Sequence, residues 1–172
     1  CAAASAYPRA AFEQVGGFDE AFFAYMEDLD LDMRLQLAGY PFLYLPEAVV
    51  HHVGSGSTGY RSDFATYYGQ RNLIWAFVKN MPGYLFYLLL PVHVFNNLLY
   101  LLAGLFMPSG KALFRGKRDA IKGIPAILKK RHTVQSQRKI APRQFARLLD
   151  WNPLSPLVKI LSRNSSVKDQ HD

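Results

Sequence analysis

The run Gly16-Gly17-Phe18-Asp19-Glu20-Ala21-Phe22-Phe23-Ala24-Tyr25-Met26-Glu27-Asp28-Leu29-Asp30-Leu31-Asp32 decides how the chain is read. Its two glycines end a short helix predicted over residues 8–15, which has proline near its start. A second helix is predicted over residues 27–38. Acids fill its first turn, where the positive helix end favours them, and Gly39 is its stop. The apolar residues of this helix form two rows, Leu29/Met33/Leu37 and Leu31/Leu35/Ala38, on opposite sides, so it is expected to be sandwiched. Asp30 and Arg34 stand i,i+4 and read as a solvated ion pair worth ~0.2–0.5 kcal/mol. Glu27-Asp28 reads differently. The pair emerges from the aromatic wall Phe22-Phe23-Ala24-Tyr25-Met26, which makes it a candidate general base.

Outward from that run the signals change. Residues 1–6 suit a strand end, and residues 41–45 and 48–53 read as two short β segments. His51-His52 closes the second; neighbours on a strand face opposite sides, so at most one of the two faces any given site. The loop Gly54-Ser55-Gly56-Ser57-Thr58-Gly59 offers backbone N–H groups to a phosphate, although it lacks the P-loop pattern. An aromatic-rich helix is expected over residues 63–79.

The chain has 172 residues, of which 50% are apolar and 19% charged, so it is about one domain long and neither disordered nor fibrous. Residues 1–107 hold 5 Lys/Arg against 9 Asp/Glu, while residues 108–172 hold 15 against 4. The basic rear calls for an anionic partner. A single cysteine, Cys1, excludes an internal disulfide framework and a multi-cysteine zinc site. The first residues do not form a signal peptide, and they open mid-pattern, as expected of a piece of a longer protein.

Residues 80–110 carry no Asp, Glu, Lys or Arg, and 19 of the 24 residues from 84 to 107 are apolar. As a helix those 24 residues measure ~36 Å, enough for a hydrocarbon core of ~30 Å. His93, Asn96, Asn97, Tyr100 and Gly104 fall on one stripe, which fits an interfacial helix or a pair of half-helices broken near Pro91 better than a lone span. Beyond it, Lys111, Arg115, Lys117, Arg118, Lys122, Lys129, Lys130 and Arg131 flank Ile121, Ile124, Ile127 and Leu128, a pattern suited to an anionic leaflet. Residues 162–172 read as a disordered tail.

Taken in order, Gly16-Gly17-Phe18-Asp19-Glu20, Phe23-x-Tyr25-x-Glu27-Asp28-x-Asp30-Leu31, Arg34, Gly39-Tyr40, Pro46-x-Ala48-x-x-x-His52-x-Gly54 and Arg71-Asn72 resemble the C-terminal half of family 2 glycosyltransferases of the GT-A fold. The likeness is to bacterial rhamnosyltransferase-like enzymes of the cell envelope. It covers residues 1–80 specifically. It implies an α/β fold: the acceptor-side part of a nucleotide-sugar transferase sandwich, followed by a membrane-associated helix or helices over 81–108 and a basic amphipathic segment over 109–161. It also implies inverting transfer of one sugar from a nucleoside-diphosphate sugar to a hydroxyl of a lipid-linked or cell-envelope glycan, on the cytoplasmic face of the inner membrane.

In such enzymes the base maps onto Asp28, with Glu27 in support. Phe18, Asp19, Glu20, Phe23 and Tyr25 form the acceptor-side wall, and Ser55, Ser57 and Arg71 lie near the donor diphosphate. His52 is the expected ligand of a divalent metal, Mg2+ or Mn2+. The Asp-x-Asp metal motif and the first nucleotide-binding units belong upstream of Cys1, so this chain alone is expected to be inactive. The chain reads Gln70-Arg71-Asn72-Leu73-Ile74-Trp75 where processive synthases carry Gln-x-x-Arg-Trp, which favours single-sugar addition over a processive synthase. A non-catalytic membrane anchor is the rival reading. Nucleic acid is not an expected partner, since no binding motif accompanies the basic stretch.

Overall fold

The computed structural model describes residues 4–51 and 62–151. Among them are six helices: α1 (Arg9–Gln14), α2 (Glu27–Leu37), α3 (Asp63–Asn80), α4 (Gly83–Gly104), α5 (Gly110–Ser136) and α6 (Pro142–Ala146). No strand occurs among the described residues, so the expected α/β layering is not seen here. Residues 41–45 and 48–51, predicted as strands, run as irregular chain, with Leu43 82% and Tyr44 84% exposed, and residues 1–3 and 52–53 of the predicted strands lie outside the described residues. A strand needs a neighbour to take up its backbone N–H and C=O groups, and no described residue supplies one.

Helix α2 starts and stops where its sequence says. Gly39 adopts φ +90°, its N–H donates to Gln36, and Tyr40 N–H donates to Leu35 at 3.0 Å. This is a Schellman closure, which needs a left-handed residue after the helix and finds it in glycine. The two apolar rows bury as expected: Leu31 and Leu35 pack with Ala11 of α1, while Met33 and Leu37 pack with Met81, Leu85 and Phe145. Leu29, at the open end of its row, stays exposed.

The third part of the core joins α3 to α5 through Trp75, Ala76, Ala120 and Ile127, with Phe22 packed among them. The two helices approach closely because α5 carries Gly116 and Gly123 on one face. A Cβ at Gly116 would sit 2.6 Å from the Tyr67 carbonyl oxygen, and one at Gly123 would sit 2.4 Å from the Trp75 ring. The Trp75 indole N–H donates to Ala120 O at 3.0 Å. Helix α5 is therefore a packing partner of α3 along its length, not a free basic helix. Lys117 is buried, Lys130 pairs with Asp19, and Arg131 donates to Val78 O and Met81 O at the C-terminal end of α3. Lys111, Arg115, Arg118, Lys122 and Lys129 remain exposed. The expected apolar series is divided too: Ile127 is in the core, whereas Ile121 and Leu128 face out with Phe114.

Helix α4 runs unbroken through Pro91, so the half-helix alternative is not what forms. Part of its polar stripe faces inward, while Asn96 and Tyr100 stay exposed. His93 stacks on Phe77 at 4.1 Å, Asn97 accepts from Lys117, and Gly104 packs on Leu113. Tyr87, Leu88, Val92, Phe95, Leu98 and Leu102 are more than half exposed.

Candidate functional site

Glu27 and Asp28 open α2 behind a strained loop. Phe23, Tyr25 and Met26 adopt φ of +61°, +63° and +67°, and none of them is glycine. Each such residue costs of order 1–3 kcal/mol and persists only where its surroundings enforce it. Here the enforcement comes from α3. The Nδ2 amide of Asn72, fully buried, donates to Phe22 O at 2.8 Å, Ala24 O at 2.8 Å and Tyr25 O at 2.7 Å. The Arg71 Nε donates to Asn72 Oδ1 at 2.9 Å, which turns the amide nitrogen toward the loop, and Arg71 Nη2 donates to Ala21 O and Phe22 O. The guanidinium lies over Trp75 at 4.2 Å and Tyr68 at 4.8 Å, so it is held flat between ring faces and loop carbonyls.

Below the loop, an ion network fixes α2 against α3 and α5. Asp30 is fully buried, accepting from Arg34 Nη2 at 2.8 Å, Lys79 at 2.9 Å and Asn80 Nδ2 at 2.8 Å. Arg34 also donates to Val15 O and Gly17 O, tying down the glycine break. The expectation of a solvated Asp30–Arg34 pair is thus overturned. The i,i+4 spacing was right, but α2 is covered on that side too. Asp19 bridges Lys79 and Lys130. Burial alone would raise its pKa; the hydrogen bonds from Lys130 and Lys79 outweigh that and hold it down to about 2.

Of the expected wall residues, Phe23 and Tyr25 belong to this loop. Phe23 is 70% exposed and its ring lies 5.3 Å from Tyr68 and 6.3 Å from Phe64; Tyr25 lies 6.2 Å from Phe64. Asp28 accepts from Leu29 N–H at 2.8 Å. One carboxylate oxygen of Glu27 is buried with no hydrogen-bond partner among the described residues. Phe18 packs on Phe12, while Asp19 is in the ion network and Glu20 lines a separate open cavity with it. Arg71 directs its hydrogen bonds to the loop and to Asn72. His52, Ser55 and Ser57 lie outside the described residues. Among the described residues no three of His, Cys, Asp and Glu converge to hold a metal ion.

Asn72, Lys79 and Asn80 carry structural duties that the sequence reading did not assign. Their signal is present: three buried polar residues on one side of α3, at spacings of seven and eight, interrupting an aromatic helix. Polar groups repeated on a helix's packed face imply buried partners elsewhere in the chain.

The family model described as glycosyl transferase family group 2 matches residues 3–162. A 51-residue stretch is 57% identical to an N-acetylglucosaminyl-diphospho-decaprenol L-rhamnosyltransferase of Mycobacterium tuberculosis strain H37Rv, and equally to that of strain CDC 1551 / Oshkosh. The stretch is 30% of this chain and 17% of each of those proteins. No solved structure matches the chain.

Proposed function

The chain belongs to glycosyl transferase family group 2, and from that premise we propose that it forms the acceptor side of an enzyme that transfers one sugar, with inversion, from a nucleoside-diphosphate sugar to a hydroxyl of a lipid-linked glycan. The relatives' name gives a polyprenyl-diphosphate-linked sugar as acceptor and rhamnose as the transferred group; a carrier-linked acceptor of that class is proposed for this chain as well. The observation that carries the reading is the loop of three left-handed residues, clamped by Asn72 and Arg71, that delivers Glu27-Asp28 to the start of α2. Strain held by dedicated hydrogen bonds is what a site does to fix a side chain before substrate arrives.

In this proposal Asp28 takes the proton of the acceptor hydroxyl as that oxygen attacks the donor sugar's anomeric carbon. The diphosphate departs from the opposite face. Glu27 supports the base, and Phe23 and Tyr25 shape the wall beside it. The described residues do not assemble a divalent-metal site.

The proposed setting is the cytoplasmic face of the membrane. Helix α4 is the one described helix long and apolar enough to cross a bilayer, and its apolar side is exposed rather than used as core. Next to it α5 shows Phe114, Ile121 and Leu128 beside exposed lysines and arginines, a pairing that suits an anionic lipid surface.

The test is Asp28→Asn in the full-length protein. That variant keeps size and most hydrogen bonding but cannot take the proton. Turnover should fall ~10²–10⁴-fold with donor binding little changed, and Glu27→Gln should cost less. Near-normal turnover by folded Asp28→Asn removes the base, and with it the mechanism.

A further inference from the structure

A cavity of about 350 Å³ opens on the α3–α5 surface, lined by Asp63, Phe64, Tyr67 and Tyr68 from α3 and by Arg115, Arg118 and Asp119 from α5. Of these residues only Tyr67 and Tyr68 touch the clamp, through the Arg71 guanidinium, and none belongs to the ion network above. Phe64 and Tyr68 lie 4.8 Å apart, and Phe64 is 40% exposed, so the cavity has an accessible aromatic wall. The Phe23 and Tyr25 rings pack on that wall, and from Tyr25 the chain passes through Met26 directly to Glu27-Asp28. The cavity therefore adjoins the loop that presents the proposed base.

The polar rim says which ligand fits. Two arginines face two aspartates, so the lining carries no net charge, and an anion gains little field there. The groups are also not all spent on one another. Asp119 accepts from Arg118 and from the Tyr67 hydroxyl at 3.0 Å each, whereas Arg115 makes no ion pair among the described residues and only approaches the Tyr67 ring at 5.8 Å. Donors and acceptors set around an aromatic wall match a neutral polyhydroxylated ring, whose hydroxyls both donate and accept and whose C–H face needs apolar surface. The larger cavity beside Asp19 lacks this character. Its Arg34 and Lys79 are already saturated by Asp30, Asp19 and backbone carbonyls.

We propose that the Phe64/Tyr68/Arg115 cavity is a subsite for a neutral sugar of the acceptor. The ring lies against Phe64 and Tyr68, and its hydroxyls or amide are held by Arg115 and the aspartates. The proposal rests on the acceptor-side reading of Glu27-Asp28. It adds where the acceptor is gripped, and by what chemistry. Phe114, exposed and next in sequence to Arg115, would turn toward the lipid end of such an acceptor.

The experiment is saturation-transfer NMR on the full-length protein with methyl N-acetyl-β-glucosaminide as probe. Ring and acetyl protons should receive saturation, and the affinity should drop about tenfold in Phe64→Ala and in Arg115→Gln, the size of one good contact. Phe64→Tyr should restore it. In turnover assays Phe64→Ala should raise the acceptor KM by a similar factor with kcat and donor KM little changed, a split that general destabilisation does not produce. Absence of saturation transfer, or equal affinity in the wild type, Phe64→Ala and Arg115→Gln, overturns the subsite. The titration needs no turnover, so a protein that binds the probe through Phe64 yet transfers no sugar overturns the proposed reaction and not the subsite.

Discussion

The side-chain amide of Asn72 donates to the carbonyl oxygen of Tyr25 at 2.7 Å, across 47 residues of chain. The same nitrogen serves Ala24 and Phe22, so one buried amide holds the loop in which three side-chain-bearing residues are left-handed. Asn72→Asp is close to isosteric but places a carboxylate against three carbonyl oxygens. It should destabilise the fold by about 3 kcal/mol, from lost hydrogen bonds and buried repulsion together, and should lower turnover beyond what the loss of folded protein accounts for. Chemical denaturation and kcat per folded enzyme check this. A stable Asn72→Asp enzyme of normal kcat would show that the loop keeps its shape unaided.

Asp30 distinguishes a buried network from a surface pair by magnitude alone. A solvated i,i+4 pair is worth ~0.2–0.5 kcal/mol. Removing one partner of a buried pair costs ~3–5 kcal/mol, because a charge, here Arg34, stays buried with no ion-pair partner among the described residues, while Lys79 keeps only Asp19. Asp30→Asn should fall in the larger range by urea unfolding. A loss below ~1 kcal/mol would mean that water reaches the network.

How far the sequence carried the fold follows from which signals are local. The starts and stops of α1, α2 and α3 lie within two residues of their predicted places, since glycines, helix-end acids and Ser62, whose hydroxyl accepts from Ala65 N–H at 3.2 Å, act over one turn. Residues 41–51 form no strand among the described residues, because β propensity describes half a pair and says nothing of whether the other half is at hand. Asp30 was misread for a related reason: spacing tells which residues are neighbours on a helix, not what covers them. The Glu27-Asp28 pair was legible as a candidate. Its support by Asn72 was not, because the contact depends on α3 lying against a loop 47 residues earlier in the chain.

The pH dependence of stability should carry two marks. Asp19 is held down to about 2, below its ordinary value of 3.8, so its contribution is present above pH ~4 and is lost as pH falls toward 2. Lys117 is the opposite case. Burial pushes its pKa from 10.5 to about 8, so the folded state binds its proton less tightly than the unfolded chain does. Stability should therefore rise between pH 8 and 10.5 as that burden is relieved. Asp19→Asn should flatten the acid limb and Lys117→Met the alkaline rise, followed by thermal unfolding across pH. An alkaline rise that persists in Lys117→Met would assign it to another group.

The α3–α5 seam makes a controlled comparison of glycines. Gly116→Ala would press a methyl group onto the Tyr67 carbonyl at 2.6 Å, and backbone cannot step aside, so the helices must separate; the cost should be ~1–3 kcal/mol. Gly69 lies in α3 with nothing within 4 Å of a Cβ, so Gly69→Ala should stabilise by ~0.5–1 kcal/mol through helix propensity. Equal effects at the two positions would mean that the helices do not pack this closely.

Helix α4 turns His93 and Asn97 inward and its greasy side out, the reverse of a helix on a water-soluble domain. At 22 residues it is roughly 33 Å long. Burying a single Phe or Leu side chain is worth ~1.5–3 kcal/mol, so the exposed row Leu88, Val92, Phe95, Leu98 and Leu102 provides far more than is needed to hold the chain at a bilayer. The exposed lysines and arginines of α5 add about 1 kcal/mol each near an anionic surface, and salt screens that part alone. The expected outcome is flotation of the full-length protein with vesicles containing anionic lipid, with weaker but persistent flotation at 1 M salt. Phe95→Asp together with Leu98→Asp should release the protein, since both positions face away from α3 and α5 and their substitution need not disturb the fold. A wild-type protein that stays soluble at low salt without detergent, or a double variant that floats unchanged, would assign the apolar face to a protein partner instead.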